Sequence, residues 1–313
     1  MSLPKLAFVF PGQGSQSVGM GRDLQENSPA ARAAFEAVDA ACGFSVSQLC
    51  FDGLEESLKE TRNTQPALFA VSVAALAACR EAGLVPSAAA GHSIGEYAAL
   101  AAAEAISVTV GARLVKARGA AMADAAAARP GTMAAVLGLD ADVVAEVCRQ
   151  VNHVGVAVLA NLNSPGQIVI SGEVNAINEA SLLLKEKGAK RVLPLAVSGA
   201  FHSPLMEPAL YVMKGVLELA EVSDPEIPVV ANVTANYETT AAEVKANLAA
   251  QVAGPVRWIE TIERLSQDGY SIFIECGPGN VLAGLIKRIA PEAKTYSVSD
   301  TASLQTARES LLI

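Results

Sequence analysis

The chain has 313 residues, of which 51% are hydrophobic and 18% charged, and this composition excludes an intrinsically disordered protein. Its 23 Lys and Arg residues against 32 Asp and Glu residues give a net charge of −9, which argues against nonspecific binding to nucleic acid or to an anionic membrane. The longest apolar stretches are rich in alanine and are interrupted by glycines or by Glu96 and Glu104, so no transmembrane helix is predicted.

The cysteines and histidines of the chain argue against a metal site. Five scattered cysteines contain no CxxC pair, and three histidines are too few for a His-rich cluster. This pattern predicts neither a zinc site nor a disulfide framework.

Residues 1–10 lack the charged region, apolar core and cleavage site of a signal peptide. Together these features predict a protein of a reducing compartment, the cytoplasm.

The first third of the chain alternates strand-like and helical segments. Leu6–Phe10 is a short apolar run that ends in Pro-Gly, which is typical of a buried strand, and a glycine-containing loop follows it. A second strand is predicted at 88–91. Helical patterns cover residues 30–42, 66–82, 94–105 and 108–128.

The middle third has the order β-α-β-β-α-β, which is typical of a ferredoxin-like unit. Its predicted strands are 132–138, 156–161, 167–171 and 190–195, and its predicted helices are 140–151 and 174–187. Asp140 is expected to cap the first helix, and Asn163-Ser164-Pro165-Gly166 is expected to form a turn. We therefore predict a small subdomain of residues 126–198, inserted into a large subdomain of residues 1–125 and 199–313.

After this insertion the alternation of strands and helices resumes. Strands are predicted at 227–231 and, as the last strand of the chain, at 271–275. Helices are predicted near 208–220, 241–252, 255–268 and 281–289. Strands that alternate with helices usually form a mostly parallel sheet with both faces covered. The large subdomain is therefore predicted to be an α/β structure of this kind.

Gly91-His92-Ser93-Ile94-Gly95 is a G-x-S-x-G motif between a predicted strand and a predicted helix. In that context the motif indicates a nucleophile elbow and an α/β-hydrolase-like large subdomain. The glycines relieve crowding at the sharp turn, and the N–H of Ile94 at the helix start could stabilise an oxyanion. We therefore predict that Ser93 is a nucleophile, with an ordinary turn serine as the alternative.

A serine nucleophile needs a base, and the candidates are His92, His153 and His202. His92 is adjacent to Ser93, and neighbouring side chains at a strand end point apart, so it is expected to be structural or to line the site. His153 lies in a predicted loop and is expected to be exposed. By elimination His202 is the predicted base. No acid occupies the position expected for a hydrolase triad, so a Ser–His dyad oriented by a neutral acceptor is predicted.

A set of short motifs occurs in the order typical of one known family. The motifs are Phe10–Gln16 (FPGQGSQ), Thr64–Ala67 (TQPA), Gly91–Tyr97 (GHSIGEY), Arg118-Gly119, Asn163–Gln167 (NSPGQ), Phe201–Met206 (FHSPLM) and Glu275–Gly279 (ECGPG). From Leu6 to about Ile289 the chain resembles the malonyl-CoA:acyl carrier protein transacylases of bacterial type II fatty-acid synthesis.

The resemblance implies a ping-pong acyl transfer. Ser93 would take the malonyl group from coenzyme A as an ester, with His202 as general base and then general acid. The phosphopantetheine thiol of the carrier protein would then accept the group. The main-chain carbonyl of Gln251 would hold His202, which accounts for the missing acid. The main-chain N–H of Gln13 would be the second oxyanion donor beside that of Ile94.

The resemblance also implies roles for side chains that bind the substrate. Arg118 would hold the free malonate carboxylate in a bidentate geometry that lysine cannot copy, and it would disfavour acetyl-CoA. Gln65, at a predicted helix start, would lie near the malonyl group. Phe201 beside His202 would exclude a methyl branch at C2. Asn163 could line the cleft or simply form a turn.

The partners implied by the resemblance are malonyl-CoA as substrate and an acidic acyl carrier protein. No permanently bound cofactor is expected, and a monomer is expected. Because the chain is itself acidic, the carrier protein would need a local basic patch. Lys190 and Arg191 at the edge of the small subdomain, with Lys287 and Arg288 on the last predicted helix, are the candidates.

Three alternatives stay open at this point. A serine esterase or thioesterase would use the same elbow with water as acceptor, and Arg118 would then have no role. An acyltransferase of a polyketide system would use the same chemistry with a dedicated carrier protein. A catalytically idle scaffold is disfavoured because Ser93, His202 and Arg118 are all present.

Overall fold

The computed structural model of the chain describes residues 5–311, and it contains two sheets with helices packed around them. Residues 1–4, which belong to the segment assessed for a signal peptide, and residues 312–313 lie outside this description. The strands are β1 (Leu6–Phe10), β2 (Ala88–Gly91), β3 (Thr132–Leu137), β4 (Ala157–Ser164), β5 (Gln167–Gly172), β6 (Arg191–Pro194), β7 (Val229–Val230), β8 (Tyr237–Glu238), β9 (Ile272–Cys276) and β10 (Lys294–Val298).

The helices surround both sheets. They are α1 (Arg22–Asn27), α2 (Pro29–Cys42), α3 (Val46–Asp52), α4 (Glu55–Lys59), α5 (Thr61–Glu81), α6 (Gly95–Ala102), α7 (Val108–Ala128), α8 (Ala141–Gln150), α9 (Val174–Glu186), α10 (Glu207–Glu218), α11 (Ala241–Gln251), α12 (Trp258–Gln267), α13 (Val281–Ile289) and α14 (Thr301–Leu311). Among residues 5–311, no helix has the length and apolar character that crossing a membrane requires.

The larger sheet has the strand order β10-β9-β1-β2-β7-β8. All neighbouring strands are parallel except β7 and β8, so the predicted parallel α/β sheet is confirmed. Strands β1 and β2 are buried along their whole length, because helices cover both faces of the sheet. The strands that neighbour β1 are β2 on one side and β9 on the other, so the strand order changes direction at β1. In open α/β sheets, ligands bind at the carboxyl ends of the strands where the strand order changes direction.

Helices α5 and α7 pack side by side over this sheet. A Cβ added to Gly119 on α7 would lie 3.0 Å from the main-chain oxygen of Thr61, so the glycine permits the close approach of the two helices. Every residue of α6 is buried, which fits the close packing expected of its alanines. This packing brings Gln65 on α5 and Arg118 on α7 into the interior, close to the end of β2.

The smaller sheet has the order β4-β5-β3-β6 with all pairs antiparallel, and α8 and α9 pack against it. The predicted β-α-β-β-α-β order is thus confirmed. Helix α7 runs on to Ala128, two residues beyond the predicted start of the small subdomain at residue 126. The exact boundaries at 126 and 198 stay a prediction. Asp140 occupies the N-cap position of α8, but its side chain makes no capping hydrogen bond.

Several sequence expectations about element bounds were wrong. The strand predicted as the last one is followed by β10, a partly exposed edge strand that starts with a lysine and therefore has a weak apolar pattern. Helix α5 starts at Thr61, not at Pro66. Pro66 removes only one hydrogen bond from a long helix, whereas the prediction placed proline at the helix start.

The close packing around α6 makes a stability prediction. A Cβ at Gly95 would lie 2.1 Å from the main-chain oxygen of Phe10, so Gly95→Ala should lower the free energy of unfolding by about 3 kcal/mol. The control is Gly215→Ala on α10, where no atom lies within 4 Å of the added Cβ; this change should raise stability by about 0.5–1 kcal/mol. Urea denaturation of both variants is the measurement. A Gly95→Ala protein as stable as the wild type would contradict this packing.

Candidate active site

Ser93 lies on a sharp turn between β2 and α6, and its backbone has a positive φ of 53°. Non-glycine residues rarely adopt this conformation, and it is the strained geometry of a nucleophile elbow. A Cβ at Gly91 would lie 1.9 Å from the main chain of Gly95, so the turn requires glycine there. A Cβ at Gly12 would lie 2.8 Å from the His92 oxygen, which shows that the loop after β1 packs against the elbow.

The structure brings Ser93, His202 and Gln251 together. Ser93 Oγ lies 2.7 Å from His202 Nε2. The other ring nitrogen, Nδ1, lies 2.9 Å from the main-chain oxygen of Gln251 and 3.0 Å from that of Gly254. Because carbonyl oxygens only accept, Nδ1 carries the ring proton and Nε2 is the atom that can accept the proton of Ser93. Neutral carbonyls therefore orient the histidine.

The His202 ring is electrically neutral over the physiological pH range. Its residue is only 4% exposed, and burial lowers the pKa of His202 to about 3, with the positive charge of Arg118 as a further cause. The two carbonyls that accept from Nδ1 act in the opposite direction. A neutral imidazole is the form that a general base requires.

Arg118 is buried next to Ser93, with 1% of its surface exposed. Nη1 donates to Gln65 Oε1 at 2.8 Å, while Nη2 donates to Gln251 Oε1 at 2.8 Å and to Ser93 Oγ at 3.1 Å. Within residues 5–311, Nε has no hydrogen-bond partner and no carboxylate forms an ion pair with the guanidinium. A buried cation held only by neutral oxygens suits the binding of an anionic group.

Sequence reasoning missed a buried carboxylate in this network. Glu96 on α6 is completely buried, and its Oε2 accepts from Gln251 Nε2 at 2.9 Å and from the main-chain N–H of Asn232 at 3.0 Å. Burial raises the pKa of Glu96 to about 7. The available signal was that Glu96 is the single charged residue of an otherwise apolar helix.

Asn232 was missed as well. It follows the end of β7, and its side chain accepts from the Ser93 N–H at 2.7 Å and donates to the Gly91 oxygen at 2.6 Å. The available signal for Asn232 was a polar residue at the carboxyl end of a strand that neighbours β2.

The side chain of Gln251 was also missed, because the sequence prediction concerned only its main-chain carbonyl. Its Nε2 donates to the main-chain oxygen of Ser93 at 2.8 Å.

The histidines that were not chosen as the base lie as expected. His92 Nε2 lies 2.8 Å from Asn163 Oδ1, and its ring is 5.6 Å from that of Trp258. Asn163 is in β4 and not in a turn, because β4 extends to Ser164 and only two residues connect it to β5. This corrects the turn alternative and leaves Asn163 beside the elbow. His153 is exposed and far along the chain from these groups.

Two further predicted residues line the interior next to Arg118 and His202. Gln65 lies inside α5 and not at a helix start, and its Nε2 donates to Met122 Sδ at 3.4 Å. Phe201 is 5% exposed and directly precedes His202, whose positive φ of 57° turns the chain there.

The two predicted oxyanion donors are available for hydrogen bonding. The N–H of Ile94 lies at the N-terminus of α6, and that of Gln13 lies in the loop after β1. Neither has an acceptor in the part of the chain that the structure describes. Free N–H groups of a helix start carry a partial positive charge that favours an anion.

The predicted basic residues lie at one end of the smaller sheet. Arg288 Nη1 donates to Gln167 Oε1 at 2.7 Å, and Gln167 pairs with Leu137, which in turn pairs with Arg191. Two strand spacings separate Gln167 and Arg191, about 10 Å. Lys190 and Lys287 are their exposed chain neighbours.

The elbow serine, the neutral histidine and the buried arginine form an arrangement that suits an acyltransferase of the serine type. A family model described as "Acyl transferase domain" matches residues 7–306. Proteins named malonyl CoA-acyl carrier protein transacylase from Bacillus subtilis and Haemophilus influenzae are 46% and 42% identical, over 99% of this chain and 98% and 100% of theirs. The chain belongs to this acyltransferase family, that of the malonyl CoA-acyl carrier protein transacylases.

Solved structures confirm the predicted fold class. An acyl-carrier-protein-S-malonyltransferase from Bartonella henselae has a TM-score of 0.95 and 43% identity, over 99% of this chain and 100% of that one. A malonyl-transacylase in complex with its type II PKS acyl-carrier protein has a TM-score of 0.94 and 42% identity, over 98% of this chain and 99% of that one.

The contacts of Asn232 predict a large cost for its removal. Asn232→Ala leaves the Gly91 oxygen and the Ser93 N–H without partners in the interior, and should lower the free energy of unfolding by about 3 kcal/mol. The control is Asn236→Ala, an exposed position, with an expected change within about 0.5 kcal/mol. Denaturant titration provides the values, and equal values for the two variants would contradict the prediction.

Proposed function

We propose that this protein moves a malonyl group from malonyl-CoA to the phosphopantetheine thiol of an acyl carrier protein, through a malonyl ester on Ser93. The observation that carries this proposal is the buried guanidinium of Arg118, 3.1 Å from Ser93 Oγ and held by neutral oxygens. A malonyl group has a carboxylate two bonds from its thioester carbonyl. One acyl group can therefore contact both the nucleophile and the arginine.

The first half-reaction forms the ester. His202 Nε2 takes the proton from Ser93 Oγ, which attacks the thioester carbonyl. The N–H groups of Ile94 and Gln13 donate to the oxyanion of the tetrahedral intermediate. When the intermediate collapses, the carbon–sulfur bond breaks, and the proton held by His202 passes to the departing thiolate of coenzyme A.

The second half-reaction reverses these roles. The thiol of the carrier protein's phosphopantetheine gives its proton to His202 and attacks the ester carbonyl. The carbon–oxygen bond to Ser93 breaks, and the protonated His202 returns its proton to Oγ. Because coenzyme A leaves before the carrier thiol reacts, the proposal requires ping-pong kinetics.

Arg118 provides the preference for malonyl over acetyl groups. A bidentate contact with the malonate carboxylate would neutralise the buried charge, whereas an acetyl group would leave it unpaired. Gln65 and Gln251 fix the guanidinium for this contact, and Phe201 beside His202 would crowd a branch at C2. A serine esterase would leave this buried arginine without a role.

A second candidate is the same reaction in the service of a polyketide system. The relative that is bound to a type II PKS acyl-carrier protein supports it at 42% identity. Supply of fatty-acid synthesis remains the main proposal, since the similar proteins of Bacillus subtilis and Haemophilus influenzae are named for an acyl carrier protein without reference to a polyketide. The cytoplasmic location, the monomeric state and the lack of a bound cofactor stay predictions.

We also propose that the carrier protein docks on Lys190, Arg191, Lys287 and Arg288. Two observations support docking of the carrier protein near Ser93. Arg288 and Arg191 lie at one end of the smaller sheet. Gln167, which accepts a hydrogen bond from Arg288, pairs with Ser164 on the neighbouring strand. The residue before Ser164 is Asn163, which contacts His92 beside the nucleophile. A long phosphopantetheine arm could reach Ser93 from there.

The proposed reaction predicts the fate of a labelled malonyl group. Incubation with radiolabelled malonyl-CoA should trap label on the wild type but not on Ser93→Ala. The trapped label should leave upon addition of the holo carrier protein and stay bound in buffer alone. Rapid loss of the label to water without transfer to the carrier would contradict the proposal and favour an esterase.

The role of Arg118 predicts a change in selectivity. Arg118→Ala should lower kcat/KM for malonyl-CoA by about 100-fold or more, the cost of a lost bidentate charge contact, while acetyl transfer holds or rises. The matched control is Arg113→Ala, an exposed arginine on the same helix, which should leave both values unchanged. Steady-state kinetics with both thioesters is the measurement. A parallel loss of both activities would show a purely structural role.

The docking proposal predicts an effect on one substrate only. Arg191→Glu with Arg288→Glu should raise the KM for the carrier protein about tenfold and leave that for malonyl-CoA unchanged, because the reversed charges repel an acidic partner. Arg308→Glu, an exposed arginine on α14, is the control for added negative charge. Equal effects on both substrates, or the same effect in the control, would refute the docking surface.

A further inference from the structure

We propose that Glu96 is a positioning residue for the acyl-carboxylate site: it fixes the side-chain amide of Gln251, and through it the guanidinium of Arg118, in the orientation that receives a substrate carboxylate. This inference rests on the proposed function, since it concerns the selectivity of the same site. Glu96 itself contacts neither Ser93 Oγ nor Arg118 through a hydrogen bond.

The orientation of the Gln251 amide is determined by its neighbours. Arg118 can only donate, and its Nη2 donates to Gln251 Oε1 at 2.8 Å. Gln251 Nε2 in turn donates to the Ser93 main-chain oxygen at 2.8 Å and to Glu96 Oε2 at 2.9 Å. A flipped amide would place its NH₂ group against the guanidinium. Glu96 therefore helps to keep the oxygen of Gln251 directed at Arg118.

Glu96 can do this because it is itself held in place. Its Oε2 also accepts from the main-chain N–H of Asn232 at 3.0 Å, and the residue is completely buried. Two N–H donors thus converge on one carboxylate oxygen from two different segments of the chain. The other oxygen, Oε1, has no partner among residues 5–311. A solvent-facing role for Glu96 is excluded by this burial.

The consequence for Arg118 follows from its two clamps. Gln65 Oε1 accepts from Nη1 and Gln251 Oε1 accepts from Nη2, so two amide oxygens on different helices fix the plane of the guanidinium. Loss of the Gln251 clamp frees that plane to tilt. A tilted guanidinium weakens the bidentate contact with the carboxylate of a malonyl group. It affects the binding of an acetyl group much less, because an acetyl group has no carboxylate.

The charges around Glu96 determine the pH dependence. Arg118, Tyr97 on the same helix, and Glu238 on β8 are the titratable or charged groups that interact with the Glu96 network. Burial raises the pKa of Glu96 from its usual value to about 7, so the carboxylate becomes protonated as the pH falls through 7. His202 stays neutral over the same range, since its pKa lies at about 3. We therefore expect malonyl transfer to decline as the pH falls through 7.

Three variants test the inference. Glu96→Gln keeps an oxygen that can accept from Gln251 and Asn232 but removes the negative charge. Glu96→Ala removes the acceptor. The matched control is Glu238→Gln, another buried carboxyl. Burial raises the pKa of Glu238 to about 9, so its charge changes little in the pH range tested, and it accepts its hydrogen bond from Asn247 rather than from Gln251 or Asn232. Formation of the acyl-serine from malonyl-CoA and from acetyl-CoA is measured between pH 5.5 and 8.5, a window of about three pH units around neutrality.

The inference predicts a split between the two substrates. In Glu96→Ala, kcat/KM for malonyl-CoA should fall about 100-fold, mainly through KM, while the value for acetyl-CoA changes less than about threefold. In Glu96→Gln, the malonyl value should be about tenfold below that of the wild type at pH 8 and equal to it at pH 5.5, because the decline below pH 7 disappears. Glu238→Gln should retain the wild-type profile and selectivity.

Two results would overturn the inference. One is an equal loss of malonyl and acetyl transfer in Glu96→Ala together with an unchanged pH profile in Glu96→Gln, which would give Glu96 a structural role only. The other is a Glu238→Gln protein with the same selectivity loss as the Glu96 variants. Failure of the proposed function is recognised separately, because the wild type would then form no malonyl-serine in the same assay.

Discussion

The guanidinium of Arg118 lies in the protein interior, within hydrogen-bond distance of the hydroxyl of Ser93, and among residues 5–311 it forms no ion pair with a carboxylate. A buried cation of this kind is costly, and the protein keeps it with three oxygen acceptors from three separate parts of the chain. The same charge helps to hold His202 neutral, as a general base must be. The position of the Ser93 hydroxyl, the charge state of His202 and the proposed preference for an acyl carboxylate thus all involve this one charge.

The fold explains how residues that are distant in sequence reach this charge. Strand β2 ends at the elbow, α5 and α7 bring two polar side chains through an otherwise apolar layer, and α11 ends at Gln251. Gln251 links the two halves of the site, since its main chain orients the histidine and its side chain orients the arginine. Glu96 accepts a hydrogen bond from Gln251, and Asn232 forms hydrogen bonds with the main chain of the elbow. The smaller sheet adds Asn163 to this cluster.

Local patterns in the sequence predicted most of the architecture, and they singled out Ser93 and His202 as a candidate pair. The G-x-S-x-G motif and the apolar strands require specific backbone geometry, so they can be read locally, and Ser93 and His202 indeed lie 2.7 Å apart. Edge strand β10 was missed because its exposed residues have no apolar periodicity. Glu96 and Asn232 were missed because their roles are buried contacts between distant segments. A lone charged residue in an apolar helix was a local signal for Glu96, but it does not show which distant groups the carboxylate contacts.

A crystal structure of the enzyme trapped with its malonyl group would show whether Arg118 binds the substrate carboxylate. We expect an ester on Ser93 Oγ, with the free carboxylate paired to both terminal nitrogens of Arg118, and with the Gln65 and Gln251 amides still in contact with the guanidinium. The carbonyl oxygen of the ester, which becomes the oxyanion, should lie near the N–H groups of Ile94 and Gln13. A malonyl group bound to Ser93 with its carboxylate directed to solvent, away from Arg118, would refute this role of Arg118.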